Sequence, residues 1–423
     1  MTTKSPYRPR IVDKQLRFKL SSKGAVLVEG PKWCGKTTTS EQVAKSILYL
    51  SDPTINREII ATAELDPTQL LTGATPRLFD EWQLVPKLWD SIRFEIDHRK
   101  KFGQFILTGS STPADSTQIF HSGTGRFTWL KMRPMSLFES NDSTGEVSLE
   151  NLFQGKSPSA TNPSRDLEHL AFLACRGGWP AAIEQPTKVA LEQSFDYLEA
   201  TIRTDYSKID GVERSPDRMQ KIMRSYARLQ GTQSSAETIA LDLSKNEGYE
   251  IHRDTVSSYL NALKRTFVIE DSPAWNANLR SKTAVRTSDT LYFVDPSIAT
   301  ATLGISPAEL SKDLHLFGFI FETLCIRDLR VYAEAKNAKV YHYRDSRGLE
   351  CDAVIVLRSG DYGLVEIKLG GDTLIEEAAK NLTALSNDLA SPPAFKMILT
   401  GTSPYAYQRE DGIFVVPITT LKD

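Results

Sequence analysis

The sequence has few cysteines and no long apolar run. The cysteines are scattered, and none lies near histidines at metal-ligand spacing; they are Cys34, Cys175, Cys325 and Cys351. This pattern argues against a disulfide framework and a structural zinc site, and it suits a reducing compartment. No run of about 18 apolar residues is present, which argues against a membrane-spanning helix. The N-terminus lacks the apolar core of a signal peptide, so we expect a cytoplasmic protein.

The sequence also lacks an excess of charge of either sign. Its formal net charge of −2 over 423 residues gives no global indication of binding to nucleic acid or membrane. A local basic excess occupies residues 1–23, where Asp13 is the only acidic residue. Two interpretations stay open for this segment: a solvated helix before the first strand, or an arm that contacts nucleic acid or a neighbouring subunit.

The first third of the chain alternates short apolar runs with segments of helical spacing. Ala25–Glu29 and Phe105–Thr108 have the composition of buried strands. Thr38–Leu50 and Lys87–Arg99 are predicted to be helices, because their apolar residues recur at helical spacing. Strands that alternate with helices in this way favour an α/β fold with a parallel sheet.

Directly after the first predicted strand, Gly30–Thr37 matches the pattern G-x-x-x-x-G-K-[ST]. A loop of this kind between a strand and a helix directs backbone N–H groups at phosphates. Lys36 would reach the β- and γ-phosphates, and the Thr37 hydroxyl would ligate Mg²⁺. The motif therefore predicts a site for ATP and magnesium. The predicted nucleotide contacts are Gly30, Pro31, Lys32, Trp33, Cys34, Gly35, Lys36, Thr37, Thr38 and Ser110.

A P-loop ATPase also needs a carboxylate for the metal and a base that orients water. We predict that Asp80 holds Mg²⁺ and that Glu81 activates the attacking water; two surface carboxylates are the alternative. Ser110 or Thr108 would sense the γ-phosphate, since the carboxyl ends of parallel strands face the ligand. For these two residues, an ordinary exit from the strand is the alternative.

Arg126 follows soon after in a glycine-rich turn, and Arg133 lies a few residues beyond it. An arginine finger stabilises transition-state charge, often at the site of a neighbouring subunit. We assign this catalytic role to Arg126, with an ordinary surface arginine as the alternative.

In their order along the chain, these motifs resemble a prokaryotic family of AAA-type ATP-binding proteins with a C-terminal domain of unknown function. The resemblance covers nearly the whole chain. It implies a sheet of the additional-strand, catalytic-glutamate class, a helical lid, and a nucleotide site near subunit contacts. A homo-oligomer, with a ring as one arrangement, is therefore expected. The motifs that carry the resemblance are Arg10–Val12, Gly30–Thr38, Leu78–Trp82, Leu107–Ser111, Gly125–Arg126, Pro134–Glu139 and Gly177–Pro180.

The middle of the chain resembles a helix-turn-helix of the winged-helix type. Its two helical segments are Ser235–Leu241 and His252–Arg265. We predict that the second helix buries Val256, Leu260 and Leu263. The residues predicted to meet base edges are Arg253, Thr255 and Ser258. The predicted phosphate contacts in the wing are Arg280, Lys282 and Arg286. Basic and acidic residues nearly balance here, so a module that contacts protein stays open beside one that contacts DNA.

The C-terminal region contains three predicted antiparallel strands, Lys339–Tyr343, Leu349–Leu357 and Tyr362–Lys368. They carry carboxylates and a lysine in a pattern that resembles the PD-(D/E)xK nuclease fold. The matching residues are Glu322, Asp352, Glu366 and Lys368. The resemblance implies Mg²⁺ bound by the carboxylates, and a lysine that activates water or stabilises phosphorane charge. The alternatives are a surface hairpin with alternating charges and a domain that binds nucleic acid without cutting it.

Four domains are expected from these patterns: an ATPase domain (1–140), a linker and helical lid (141–230), a winged-helix domain (231–305) and a nuclease-like domain (306–423). Residues 140–165 are rich in Ser, Asn, Gly and Pro, which predicts a linker or a flexible loop. The leading hypothesis is an ATP-hydrolysing protein that acts on DNA, including branched or end structures, in repair, recombination or defence. A nucleotide-dependent switch that binds a protein partner and an ATP-gated, Mg²⁺-dependent nuclease are the other two hypotheses.

Overall fold

A computed structural model describes residues 7–111, 122–164, 166–204, 206, 211–276 and 288–423. The chain divides into two compact units. The first unit contains Met1–Arg133, Asp205–Arg214 and Ala262–Phe267. The second unit contains Pro134–Thr204, Ser215–Asn261 and Val268–Asp423. The four domain boundaries expected from the sequence stay a prediction.

The first unit is built on a parallel sheet of five strands. They are β1 Ala25–Glu29, β2 Ser46–Tyr49, β3 Arg77–Asp80, β4 Phe105–Gly109 and β5 Phe127–Lys131. Their spatial order is β2-β3-β4-β1-β5, and every pairing is parallel. The α/β prediction is therefore confirmed. Parallel strands need cover on both faces, which explains why the central strands β1 and β4 are almost entirely buried.

Four α-helices accompany this sheet among the described residues. They are α1 Val12–Ser22, α2 Lys36–Glu41, α3 Asn56–Leu65 and α4 Leu88–Arg99. The predicted helix over Lys87–Arg99 is thus confirmed within a residue. In α1, the buried residues Val12, Leu16 and Leu20 recur every fourth position, so one face of this basic helix packs against the sheet. A role of α1 as an arm that contacts nucleic acid stays a prediction.

The predicted helix over Thr38–Leu50 is wrong beyond Glu41. The helix that follows the P-loop ends at Glu41, and Ser46–Tyr49 forms the edge strand β2. Ile47 and Leu48 pair in register with Leu78 and Phe79 of β3. The pairing partner lies some thirty positions further along the chain, so the strand depends on tertiary contacts that a local pattern does not contain.

After β5, the chain is mainly helical as far as residue 335. The helices are α5 Leu149–Phe153, α6 Leu167–Arg176, α7 Thr187–Arg203, α8 Pro216–Leu229, α9 Ala236–Glu247, α10 Arg253–Arg265, α11 Pro296–Leu303, α12 Pro307–Leu310 and α13 Leu314–Ala335. A further helix, α14 Asp372–Asp388, lies within the C-terminal sheet region. None of the helices in the described ranges combines the length and apolarity needed to cross a membrane.

Helix α9 shows how local sequence sets these boundaries. The Ser235 hydroxyl accepts a hydrogen bond from the Thr238 amide at 3.2 Å and so caps the first turn. Gly248 has φ 59° and ends the helix in the left-handed region, where glycine is favoured. Ile239 and Leu243 are buried on one face. The next helix, α10, begins at Arg253 and ends at Arg265, within the predicted segment.

The second unit contains a sheet of seven strands, arranged β7-β12-β13-β11-β10-β9-β8. These strands are β7 Ala160–Thr161, β8 Lys339–Arg344, β9 Glu350–Val356, β10 Tyr362–Lys368, β11 Phe395–Thr400, β12 Tyr405–Gln408 and β13 Phe414–Pro417. The pairs β8–β9 and β9–β10 are antiparallel as predicted, whereas β10–β11 is parallel. Helix α14 connects the parallel pair and contributes Ile375 and Leu382 to its apolar core. Two short strands, β6 Val147–Ser148 and β14 Leu421–Lys422, pair separately.

The linker predicted over residues 140–165 is wrong for the described part of that segment. It contains β6, α5 and β7, and Leu149 and Leu152 are buried. The Asn162 side chain donates to Ser403 O at 2.8 Å and accepts from the Thr419 hydroxyl at 2.7 Å. The polar residues that suggested a flexible linker therefore form buried hydrogen bonds with the C-terminal strands.

Candidate nucleotide site and carboxylate cluster

The P-loop joins the carboxyl end of β1 to the start of α2 in the first unit. A β-carbon on Gly30 would lie 2.0 Å from Met132 O, so only glycine fits where the loop leaves the strand. Gly35 has φ 98°, again in the region that favours glycine, directly before α2. Both positions therefore need glycine, as expected for a tight loop between a strand and a helix.

Lys36 is buried, and its ammonium lies inside this loop. Its Nζ donates to Gly30 O at 2.9 Å and to Pro31 O at 2.7 Å. Both acceptors are neutral carbonyl groups, so these two contacts do not neutralise the charge of the ammonium. A positive group held in the loop by backbone carbonyl oxygens suits the anionic tail of a nucleotide.

The other predicted nucleotide contacts from this motif lie in the same loop or directly after it. Cys34 is fully buried, and its Sγ approaches Met132 O at 3.7 Å. Trp33 has φ 64° and a side chain that is 48% exposed. Lys32 and Thr38 are exposed. The loop thus has one buried side packed on β5 and one exposed side.

Asp80 connects three elements at the carboxyl edge of the sheet. It ends β3, and its Oδ1 accepts from the Thr37 hydroxyl at 2.6 Å and from the Thr108 hydroxyl at 2.6 Å. The predicted magnesium residues Thr37 and Asp80 are therefore adjacent. One hydroxyl and one carboxylate fit the usual ATP-bound magnesium, whose remaining ligands are phosphate oxygens and water.

Glu81 and Ser110 are also brought together. Glu81 has φ 57°, which is unusual for a residue with a side chain and typical of strained functional positions. Its Oε2 accepts from the Ser110 hydroxyl at 3.1 Å, and its amide donates to the Thr108 hydroxyl at 3.3 Å. A second donor to Oε2 is the Gln83 amide nitrogen, which the sequence analysis did not identify.

Arg10 is another residue whose role was missed. Its guanidinium is buried and donates to Cys34 O at 2.8 Å and to Arg133 O at 2.9 Å. These two hydrogen bonds connect the P-loop to the segment that follows β5. The sequence analysis placed Arg10 only in a basic leader and in a family motif. The only sequence feature that could have indicated this role was the position of Arg10 in that motif, beside the apolar start of α1.

Arg126 lies away from these residues. Its backbone carbonyl accepts from Ala25, the first residue of β1, whereas the P-loop follows the last residue of that strand. Arg126 therefore lies at the amino edge of the sheet. It forms a bidentate ion pair with Asp97, with Nε–Oδ1 at 2.8 Å and Nη2–Oδ2 at 3.2 Å. The arginine would have to serve a neighbouring subunit to act as a finger, and this role stays a prediction.

The second unit brings Asp352, Glu366 and Lys368 together. Pairing of β9 with β10 ends at Ala353–Val365, and beyond it Asp352 Oδ2 accepts from the Ile367 amide at 2.7 Å. Lys368 Nζ lies 3.3 Å from Asp352 Oδ2 and 2.8 Å from Glu366 Oε2. The ammonium therefore lies between the two carboxylates.

Glu322 of α13 completes this cluster. Burial, together with the charge of Asp352, raises the pKa of Glu322 well above its usual range, and Tyr292 donates to its carboxylate. Burial and Asp352 also raise the pKa of Glu366 to about 8. Asn381 Nδ2 donates to Glu366 Oε1 at 2.5 Å. Glu322, Asp352 and Glu366 thus lie near one another, and burial disfavours the charged form of the two glutamates.

The predicted metal role of this cluster has no direct support in the geometry. Within the described ranges, no group of three or more His, Cys, Asp or Glu side chains is placed to hold a metal ion. The Lys368 ammonium takes the position between Asp352 and Glu366, where a divalent cation would compete with it. Metal-dependent cleavage stays a prediction.

The predicted helix-turn-helix corresponds to α9 and α10. Val256 and Leu263 are buried as expected, but Leu260 is half-buried, and Tyr259 takes its place in the buried stripe. Arg253 is exposed at the start of α10, and its Nη1 lies 3.6 Å from Glu237 Oε2. Thr255 and Ser258 are half-buried. The predicted wing residues Arg280, Lys282 and Arg286 lie outside the described residues.

Comparisons with known proteins support a modular chain. Residues 22–141 match the family model of an AAA domain. Residues 167–309 match a domain of unknown function (DUF8612), and residues 317–421 match another (DUF4143). Uncharacterized proteins of Mycobacterium bovis and Mycobacterium tuberculosis are 25% identical to this chain over 356 residues, which cover 84% of this chain and 72% of each relative.

Two solved structures align with much of this chain, each at a low TM-score. The Walker-type ATPase of Pyrococcus abyssi gives a TM-score of 0.40 at 15% identity, over 69% of this chain and 94% of that chain. The ORC2 protein of Aeropyrum pernix gives a TM-score of 0.32 at 10% identity, over 64% of this chain and 90% of that chain.

The parallel sheet, the P-loop and the AAA-domain match together define the class of the first part of the chain. It is an AAA-type P-loop ATPase domain. The chain as a whole carries this domain followed by additional C-terminal domains of unknown function.

Proposed function

We propose that the protein hydrolyses ATP with Mg²⁺ and uses this cycle to act on DNA, including branched or end structures. The observation that carries the ATPase part is the position of Asp80. One carboxylate oxygen accepts from Thr37, which follows the P-loop lysine, and from Thr108 at the end of β4. The same edge of the sheet carries Glu81 and Ser110.

Each of these side chains has a distinct task in this proposal. Lys36 neutralises the β- and γ-phosphates of bound ATP. Thr37 and Asp80 hold the metal, and bound magnesium supplies positive charge to the phosphates. Glu81 orients and deprotonates the water, while Ser110 holds the Glu81 carboxylate and senses the γ-phosphate. ATP is thereby cleaved to ADP and phosphate.

The DNA part of the proposal is supported by α9 and α10. Arg253 is exposed at the start of α10. In helix-turn-helix proteins, the N-terminal residues of the recognition helix meet base edges. The cluster of Glu322, Asp352, Glu366 and Lys368 resembles a nuclease site and would contact nucleic acid in the second unit. We also propose a homo-oligomer, since Arg126 lies at the edge of the sheet opposite its own P-loop.

A switch that binds a protein partner is the second candidate. Arg253 lies close to the carboxylates of Glu237 and Asp254, at 3.6 and 3.7 Å. Such neighbours reduce the attraction of this surface for phosphate groups. An ATP-gated nuclease is the third candidate, and it requires Lys368 to leave the position between Asp352 and Glu366.

The decisive experiment is an ATPase assay with single-stranded, duplex and branched DNA at two salt concentrations. The DNA proposal predicts stimulation of ATP hydrolysis that falls steeply as salt rises, because phosphate contacts release counterions. Equal rates with and without each DNA would overturn it and favour the switch. DNA cleavage that is lost in Asp352→Ala, with ATP hydrolysis retained, would favour the nuclease.

A further inference from the structure

Gln83 lies two residues beyond Glu81, in a short 3-10 turn over Trp82–Leu84 that follows β3. Its Nε2 donates a short hydrogen bond to Glu81 Oε2, the oxygen that also accepts from Ser110. An ionised carboxylate only accepts hydrogen bonds, so it must face the amide nitrogen of Gln83. The amide oxygen of Gln83 is consequently directed elsewhere.

That amide oxygen is buried, and within the part of the chain that the structure describes it accepts no hydrogen bond. Buried acceptors are normally satisfied by a donor or by an ordered water, so this one indicates a missing donor. Gln83 Oε1 would lie 3.0 Å from a β-carbon on Gly109, the residue directly before Ser110. The glycine thus leaves the amide room beside the end of β4.

We propose that Gln83 is a further residue of the hydrolytic site, which positions Glu81 through its nitrogen and the attacking water through its oxygen. This inference rests on the proposed ATP hydrolysis. The water donates one hydrogen to Glu81 and the other to Gln83 Oε1, which turns a lone pair towards the γ-phosphorus. The water oxygen then bonds to that phosphorus, the bond to the ADP oxygen breaks, and Glu81 takes the released proton.

The alternative is that Gln83 only packs the turn after β3. Gln83→Met distinguishes the two roles, because methionine has a similar length and volume but cannot form these hydrogen bonds. Gln69→Met is the matched control: Gln69 also donates to a carboxylate, that of Asp66 at 3.4 Å, but it is exposed and lies outside the site.

The test measures kcat, the Kd for MgATP and the unfolding midpoint for each variant. We expect Gln83→Met to lower kcat about 10- to 100-fold, with the Kd changed by less than about threefold. Gln69→Met should retain the wild-type kcat. In a Glu81→Gln background, Gln83→Met should lower kcat by less than about threefold further, because both residues act on one water.

The outcomes separate this inference from the function on which it rests. A wild-type kcat in Gln83→Met would overturn the inference alone. A full additional loss in the Glu81→Gln background would also overturn it, because a packing defect adds independently. If the wild-type protein itself binds MgATP but does not hydrolyse it, the proposed function and this inference both fail.

Discussion

The Thr37 hydroxyl donates a 2.6 Å hydrogen bond to Asp80, which lies 43 residues further along the chain. This contact links the start of α2 to the end of β3, at the edge where the P-loop lies. It places one hydroxyl and one carboxylate side by side, as the proposed site for a nucleotide-bound magnesium ion requires.

Asp80→Asn tests this arrangement, because asparagine keeps the shape of the side chain but removes its charge. We expect ATP hydrolysis to fall by about 100-fold or more. The Kd for ATP should rise when Mg²⁺ is present, which means weaker binding, and it should change little in EDTA. Calorimetric titration under both conditions measures the difference. The assignment fails if the variant and the wild-type protein show the same dependence of ATP affinity on Mg²⁺.

Glu81→Gln tests the assigned base. Glutamine still accepts a hydrogen bond but cannot take a proton, so hydrolysis should slow by about two to four orders of magnitude. Binding of MgATP should persist, because the variant leaves Lys36 and its contacts within the P-loop unchanged. The measurement is single-turnover hydrolysis, with the Kd for MgATP in parallel. Normal turnover by this variant would show that Glu81 is not the base.

Arg10→Met tests the link between the P-loop and the segment after β5. The variant leaves two buried carbonyl groups without their charged donor, so we expect a loss of about 1–3 kcal/mol in the free energy of unfolding. Urea unfolding measures this loss. Arg17→Met is the control, since Arg17 is exposed on α1 and its replacement should change stability by less than about 0.5 kcal/mol. Equal midpoints for the two variants would contradict this role.

Glu366→Gln tests the protonation of the C-terminal cluster. The pKa of Glu366 rises from its ordinary 4.5 to about 8 because the group is buried near Asp352. Between these values, the folded protein keeps a proton that the unfolded chain has released. The wild-type protein should therefore lose stability as pH rises through this window, relative to the variant, which has no proton to lose.

Urea unfolding of both proteins at pH 5, 6.5 and 8 measures this effect. Glu350→Gln is the control, because Glu350 is an exposed residue of the neighbouring strand β9. It should follow the pH dependence of the wild-type protein. A constant difference in stability between Glu366→Gln and the wild-type protein over this pH range would rule out the proton held by Glu366.

The elements that the sequence analysis predicted correctly are specified by residues that lie close together in the sequence. β1 and the loop after it combine an apolar run with two glycines, and both positions need glycine for steric or conformational reasons. The three strands β8–β10 are short, largely apolar segments with short turns between them. Strand pairing over such short separations leaves a clear pattern in the sequence.

The features that were missed depend on partners far away in the sequence. β2 is a strand because β3 lies beside it, and Asn162 is ordered because Ser403 and Thr419 bond to it. Arg10 gains its role only when Cys34 and Arg133 are close to it in the fold. Composition in a window of a few residues does not contain these contacts, so propensity favoured a helix for β2 and a linker for the segment with Asn162.

The central claim is that Gly30–Thr37 holds the phosphates of ATP with the help of Lys36, and Lys36→Ala tests it most directly. In the proposed complex its ammonium would make charge-assisted contacts to phosphate, and such contacts contribute about 1.5–3 kcal/mol. We therefore predict that the Kd for MgATP, measured by calorimetric titration of the full chain, rises about 10- to 100-fold or beyond detection. Tight MgATP binding that is equal in Lys36→Ala and in the wild-type protein would contradict the account.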